Sequence, residues 1–261
     1  EFGRLHLAAR AILPLLPALA ASSPFCEGEF TGWLDWRLQV YRHNQARVPR
    51  IAGLVVPEPV TTRERYFAEI LEPIWADIAP LDPDQLLREE WLNSRGVVAK
   101  FFRDAIEIRV LDVQECPAAD LAICALVTAV LRAMCDERWC DRRALAALPT
   151  NELADVLWAV AKDGDRATVA HRGLLQALGL PPRPHAANAI WRHLAETVLP
   201  DVAAFDPRLA RPLQTILAHG PLARRLLASC GGAVDRPSLL ALQTRLADCL
   251  RAGTPFLPAD A

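Results

Sequence analysis

The chain changes its hydrophobic period once, and that change limits the folds open to it. Gly96 to Phe102 and Ala105 to Val113 are β-rich runs separated by Arg103-Asp104, which predicts an antiparallel hairpin. After Pro117 the period becomes helical and stays so, predicting helices at 118–139, 141–148, 150–163, 186–197, 207–218, 221–229 and 235–251. Gly164, the Pro181-Pro182-Arg183-Pro184 cluster and Gly231-Gly232 punctuate them. A two-stranded hairpin does not hold by itself in water, so this one needs further strands or a helical cover. The expected class is α+β, with a small sheet in residues 1–116 and a largely helical part in 117–261.

The first segment reads more irregularly. Phe2 to Ala21 is expected to be helical, broken at Pro14 and Pro17 and closed by the Ser22-Ser23-Pro24 turn. Residues 26–50 have no clean period and read as a long ordered loop or short irregular elements. Ile51 to Val56 is a candidate short strand. Thr62 resembles an N-cap for a helix through Leu71 limited by Pro73, and Pro83 is expected to open a short helix reaching Glu90 or Trp91.

Composition excludes several classes. Net charge is −2, which lacks the electrostatic footprint of a general nucleic-acid binder. Of 29 basic residues only Lys100 and Lys162 are lysines, a bias that a GC-rich coding sequence would also produce. No window reaches the roughly 18 to 20 apolar residues of a membrane span, Leu121 to Leu131 coming nearest. Seven cysteines form no CxxC pair, and Cys124 and Cys135 are expected to be buried thiols in an apolar helix. A reducing, cytoplasmic setting fits this usage. The single methionine is Met134, so the chain is expected to be a processed product or a fragment.

The residues that carry chemistry cluster on the hairpin. In Ala105 to Val113 side chains alternate, so Ile106, Ile108 and Val110 share one face while Glu107 and Arg109 share the other, roughly 7 Å apart along the strand. With Arg103-Asp104 as a two-residue turn, Phe102 pairs with Ala105 and Lys100 stands opposite Glu107. One reading is a cross-strand ion pair on a solvated face. The other is a polar catalytic face, with Glu107 as a Mg²⁺ ligand and Arg109 and Lys100 facing phosphoryl oxygens. Just upstream, Asn93 and Arg95 stand at the mouth of the hairpin, and Arg37 follows two indoles in Trp33-Leu34-Asp35-Trp36.

Three stretches resemble the glutamate–cysteine ligase family 2, also described as carboxylate–amine ligases. The run Leu15 to Phe25 continuing to Thr31-Gly32 is similar to its mid-chain segment. Trp91-Leu92-Asn93-Ser94-Arg95-Gly96 and Ile106-Glu107-Ile108-Arg109-Val110-Leu111-Asp112 resemble its W-x-N/D-x-R and E-[IL]-R-x-x-D strand motifs. Ile216 to Arg225 and Leu246 to Leu250 resemble its C-terminal helices. The resemblance implies part of a glutamine-synthetase-like antiparallel sheet and an ATP- and Mg²⁺-dependent ligase acting on glutamate and an amine such as cysteine. By motif, Glu107 would be a metal ligand and Arg109 would stabilise the transferred phosphoryl group. Arg95 and Lys100 would bind nucleotide or acyl phosphate, Asn93 and Arg37 would lie on the substrate side, and Asp112 would be structural.

The family's initial E-x-E-x-F strand and later H-x-H strand do not occur, and Glu27-Gly28-Glu29-Phe30 falls in a loop where a metal strand is not expected. The resemblance therefore implies the C-terminal portion of a catalytic domain, incompetent for ligation by itself. The competing expectation is a non-catalytic helical interaction module with a salt-bridged hairpin exterior. Nothing in the residues reads out the acceptor amine.

Overall fold

The computed structural model describes residues 1–230 and 234–258. In chain order, the first part contains helices α1 (Phe2–Ile12) and α2 (Pro17–Ala20), strands β1 (Phe25–Cys26) and β2 (Glu29–Phe30), and helices α3 (Trp36–Tyr41), α4 (Arg63–Tyr66) and α5 (Glu72–Ile78). The hairpin β3 (Val97–Lys100) and β4 (Ala105–Ile108) follows. The second part holds α6 (Pro117–Cys135), α7 (Arg142–Ala146), α8 (Thr150–Asp163), β5 (Thr168–Val169), α9 (Arg172–Ala177) and β6 (His185–Ala186). It ends with α10 (Ala187–Phe205), α11 (Ala210–His219), α12 (Leu222–Ser229) and α13 (Arg236–Ala252). The expected break at Gly231-Gly232 lies outside the described residues. Among the described residues the strands form three antiparallel pairs, β1–β2, β3–β4 and β5–β6, so the class is α+β with small sheets.

The core is helical. On α6, Ala119, Ala122, Ile123, Leu126, Val130 and Ala133 recur every three or four residues and are buried, and this stripe packs against α1, α10 and α11. Pro117 opens α6 where its missing amide hydrogen costs nothing. By length and composition α6 could cross a membrane, a longer apolar stretch than the sequence reading allowed, but 56% of its window is buried inside the protein. It is the central helix of this core. Helix α8 buries Leu153, Leu157 and Val160 against α2 and the Leu13–Leu15 turn. Two buried polar side chains tie the layers: Arg10 donates to the carbonyls of Pro57 and Leu148 at 2.7 and 2.8 Å, and the Trp191 indole donates to Leu15 at 2.8 Å.

The irregular first half departs from expectation. Ile51 to Val56 is not a strand: a 3-10 turn at Pro49–Ile51 precedes an isolated Leu54–Val56 bridge. Pro73 does not end the helix begun at Thr62. A π-turn at Phe67–Leu71 comes directly ahead of it, and the wider turn avoids the clash a proline ring makes in an α-helix. Residues 83–89 form turns instead of a helix, because the Asp82 carboxylate accepts from the Leu86 and Leu87 amides at 3.0 and 2.7 Å. A 3-10 turn then covers Glu90–Leu92. Residues 26–50 do hold short elements, the β1–β2 hairpin and α3, the latter capped by Asp35, whose Oδ1 accepts from Leu38 at 3.0 Å.

In the helical half, α9 and the β5–β6 pair were not expected. Helix α10 runs on past Pro200 to Phe205, because Val198 and Val202 keep their stripe buried while Pro200 is on the exposed side. The Cys124 thiol is exposed and that of Cys135 half-buried, so neither is the buried thiol expected.

The hairpin register also shifts. Lys100 pairs with Ala105 and Val98 with Glu107, because Phe101–Arg103 form a 3-10 turn and Asp104 adopts left-handed backbone at φ 47°. A two-residue slip preserves face parity, so Glu107 and Lys100 still share a face. Gly96 precedes the hairpin in a space where an added Cβ would stand 2.7 Å from both Leu13 and Val110; only glycine fits there.

Candidate active site

All six residues singled out from sequence join one network centred on Arg109. Its Nε donates to Glu107 Oε1 at 2.7 Å, and its Nη1 donates to the Asn93 carbonyl at 2.8 Å. Lys100 Nζ lies 3.3 Å from the other Glu107 oxygen. The Arg109 carbonyl accepts from Arg37 Nη1 at 3.2 Å. Asn93 Oδ1 in turn accepts from both the amide and the guanidinium of Arg95, each at 3.1 Å. These links reach across 73 residues of chain, and the exposure of their members differs sharply.

Glu107, Lys100 and Arg109 form the outer part. The Glu107 side chain is 43% exposed, and hydrogen bonding from Arg109, aided by Lys100, holds its carboxyl below the ordinary carboxylate range. Arg109 is half-buried; burial opposes its charge, but the Glu107 carboxylate outweighs it and raises the guanidinium above its usual value. A cation pair on one carboxylate is a place where an incoming anion finds donors already aimed.

Asn93 and Arg95 form the inner part and are almost wholly buried. Arg95 makes a two-pronged pair with Glu58 at 2.6 and 2.7 Å, and Asn93 donates to the Tyr66 hydroxyl at 2.8 Å. The same hydroxyl accepts from the Ala99 amide at 3.0 Å, which fixes β3. Burial raises the Tyr66 hydroxyl above its ordinary pKa, keeping it neutral while it accepts from Asn93 and Ala99. These two residues therefore set the position of Arg109 through the Asn93 carbonyl.

Arg37 belongs to a third part. Its Nε pairs with Asp112, whose other oxygen accepts from the Ser22 amide and the Ser23 hydroxyl at 2.9 and 2.8 Å. Strand β4 ends at Ile108, so alternation no longer governs Asp112; its carboxylate joins the serine turn to α3. Burial, with Asp112 nearby, pushes the Asp35 carboxyl up to about 7.

Sequence reasoning missed Glu58, Tyr66 and Tyr41, whose hydroxyl donates to the Ser94 carbonyl at 2.8 Å. Glu58 stood only as a residue between Pro57 and Pro59, and no local pattern marks a carboxylate that pairs 37 positions away.

A groove of about 360 Å³ adjoins the outer part, lined by the Glu89–Trp91 segment on one side and by Lys100, Phe102, Arg103 and Glu107 of the hairpin on the other. A larger hollow, about 910 Å³, lies between α1, α6 and the Ile106 side of β4, away from the ion network. As a magnesium site the network is short of ligands. Both Glu107 oxygens already hold cations, and among the described residues no three His, Cys, Asp or Glu side chains gather to hold a metal ion. A hard cation takes about six oxygens. These residues do not by themselves fit Mg²⁺.

Comparison with known proteins adds an independent finding. The family described as glutamate-cysteine ligase family 2 matches residues 3–229. The chain is 30% identical over 257 residues to an uncharacterized protein of Archaeoglobus fulgidus, covering 98% of this chain and 61% of that one. It is 31% identical over 192 residues to a Nocardioides sp. protein named "Putative glutamate--cysteine ligase 2-1", covering 74% of this chain and 44% of that one. The chain thus spans less than two thirds of the length of either relative.

Proposed function

Because the chain belongs to glutamate–cysteine ligase family 2, we propose that it is part of a ligase that joins the γ-carboxylate of glutamate to an amine at the expense of ATP. In this reading the carboxylate takes the terminal phosphoryl group of ATP, releasing ADP. The amine nitrogen then attacks the acyl carbon, the carbon–oxygen bond to phosphate breaks, and the amine gives up a proton. The glutamine-synthetase-like sheet and the division into residues 1–116 and 117–261 of one catalytic domain belong to the same proposal, as does a cytoplasmic setting. All seven cysteines are free thiols.

The observation that carries this reading is the outer part of the network, in which Lys100 and Arg109 converge on a single partly exposed carboxylate. Their task is to bind the anionic oxygens of the transferred phosphoryl group, where pre-aimed cations count most. Arg109 is held for this by Asn93, and Asn93 by Arg95 and Tyr66. Arg37 steadies the Arg109 backbone and stands on the substrate side. Of the three residues in the outer part only Glu107 offers Mg²⁺ a carboxylate, and both its oxygens already hold cations, so no step is routed through the metal here. The competing reading, a structural ion triad on an interaction module, draws support from the lack of a gathered metal-ligand group among the described residues.

The test is ADP release by the full-length gene product supplied with ATP, Mg²⁺, glutamate and cysteine or another amine. Release that requires both glutamate and amine, and falls roughly 100-fold or more in Arg109→Ala, is expected. No amine-dependent ADP release from the full-length protein overturns the proposal and leaves the structural triad.

A further inference from the structure

The two edges of the β3–β4 hairpin end differently. The Arg109 amide donates to the Gly96 carbonyl at 2.8 Å. By alternation the main-chain groups of Ala105 and Glu107 also point at β3, and those of Ile106 and Ile108 point away from it. On the far side of β3 the outward Ala99 amide is closed off by the Tyr66 hydroxyl at 3.0 Å, and the Gly96 amide by the Val55 carbonyl at 2.7 Å. On β4 nothing does this. Among the described residues the outward amides and carbonyls of Ile106 and Ile108 meet no hydrogen-bond partner. They form a short open edge of the kind that takes up another strand.

Apolar surface borders this edge. The Ile106 and Ile108 side chains, half-buried against the helical core, form one wall of a hollow of about 380 Å³; Leu5 and Ala9 of α1 and Thr128 and Leu131 of α6 form the others. It shares Leu5, Ile106 and Cys135 with the larger hollow of about 910 Å³. Along α6, Leu121, Cys124, Thr128, Leu131 and Cys135 recur every three or four residues, a second stripe that the core leaves wholly or partly uncovered. A strand laid along β4 would pair with Ile106 and Ile108 and send alternate side chains down onto this stripe. A small ligand has no such period.

The match to the Archaeoglobus fulgidus relative takes in 98% of this chain but 61% of that one. More than a third of such a chain therefore lies outside the part that corresponds to residues 1–261. A segment joined to the same polypeptide meets the edge at far higher effective concentration than a second copy does. We propose that an extended strand from the part of the full-length protein outside residues 1–261 pairs with β4 along Ile106 and Ile108 and covers the α6 stripe. The strand rests on the extended sheet of the ligase reading and on none of its chemistry.

The experiment uses the full-length gene product. Residue-resolved amide exchange on the unsubstituted protein should show Ile106 and Ile108 exchanging at least about 100-fold more slowly than an unstructured chain. Arg132→p-benzoylphenylalanine places a photoprobe at an exposed position on the rim of both hollows. On irradiation it should cross-link to a residue outside 1–261 of the same polypeptide. The same probe at Leu250, exposed on α13, should not reach that segment. Unprotected exchange at both amides, a photoproduct joining two copies through residues 1–261, or no photoproduct with residues outside 1–261 overturns the inference. Because no turnover is read, failure here is distinct from failure to release ADP.

Discussion

Two carboxylate–arginine pairs whose carboxylates, Glu107 and Glu115, are eight residues apart in the chain live in opposite environments. Glu107–Arg109 lies on the outer face of the hairpin, with the carboxylate 43% exposed. Glu115–Arg225 is fully buried. Arg225 also donates to the Phe256 carbonyl at 2.6 Å, and Glu115 accepts from the Phe256 amide at 2.7 Å, so this pair clamps the segment after α13 beneath the start of α6. The inner pair is wholly out of water and tied to the fold through Glu115 Oε1 and Arg225 Nη1. The outer pair is half in water and supported from behind by the Asn93 carbonyl, so parting it costs the fold little. The same chemistry serves architecture in one place and, in the proposed ligase, ligand capture in the other, and the difference between them is access to water.

The sharpest way to break this contrast is at the buried pair. Arg225→Ala leaves Glu115 charged and dry, and should cost about 3–5 kcal/mol, read as a drop in the urea midpoint. A loss under about 1 kcal/mol would show that the buried pair is no more structural than the exposed one.

Acid should strain the interior while sparing the hairpin face. Burial lowers His6 to about 4, so its neutral form is favoured by folding. As pH falls from 6.5 towards 4 the unfolded chain takes up a proton that the native protein refuses, and stability falls by up to roughly 3 kcal/mol. Asp35, raised to about 7, acts with the opposite sign: its native form is protonated first, so stability rises as pH falls from 7 towards 4. The two contributions offset each other in the parent protein. His6→Asn should therefore gain relative stability at pH 5 over pH 7, and Asp35→Asn should lose it, in matched denaturation curves.

Tyr66→Phe sits between the two regions. Removing its hydroxyl strands the Asn93 amide and the Ala99 amide, and should cost about 1–3 kcal/mol by thermal melting. It should also loosen Arg109 enough to lower turnover of the proposed full-length ligase.

Smallest in stability and largest in activity is Glu107→Gln. It removes a partly exposed pair worth at most about 1 kcal/mol, while the proposed ligase would lose most of its turnover because Glu107 holds Lys100 and Arg109 in place. A variant with unchanged turnover would return the triad to a structural role.

The hairpin and the helices were legible because they depend on neighbours within a few residues. Alternation put Glu107 and Arg109 on one face, and that parity survived a two-residue change of register. The stripe on α6 was readable from spacing, though its burial in the protein, and the exposure of Cys124 on its outer side, depended on what packs where. The π-turn ahead of Pro73 and the continuation of α10 through Pro200 were not readable, because each depends on tertiary burial outweighing a local proline rule.

Sequence alone determined the single switch of period, the shared face of Lys100, Glu107 and Arg109, and the family resemblance carried by their motifs. Only the tertiary structure decided which carboxylate each arginine meets: Glu58 for Arg95, Asp112 for Arg37, Glu115 for Arg225. The physical reason is range. Backbone periodicity is fixed by steric and hydrogen-bond rules spanning about four residues, whereas partners separated by 37, 75 and 110 positions are chosen by packing, which also sets how much water each charge keeps.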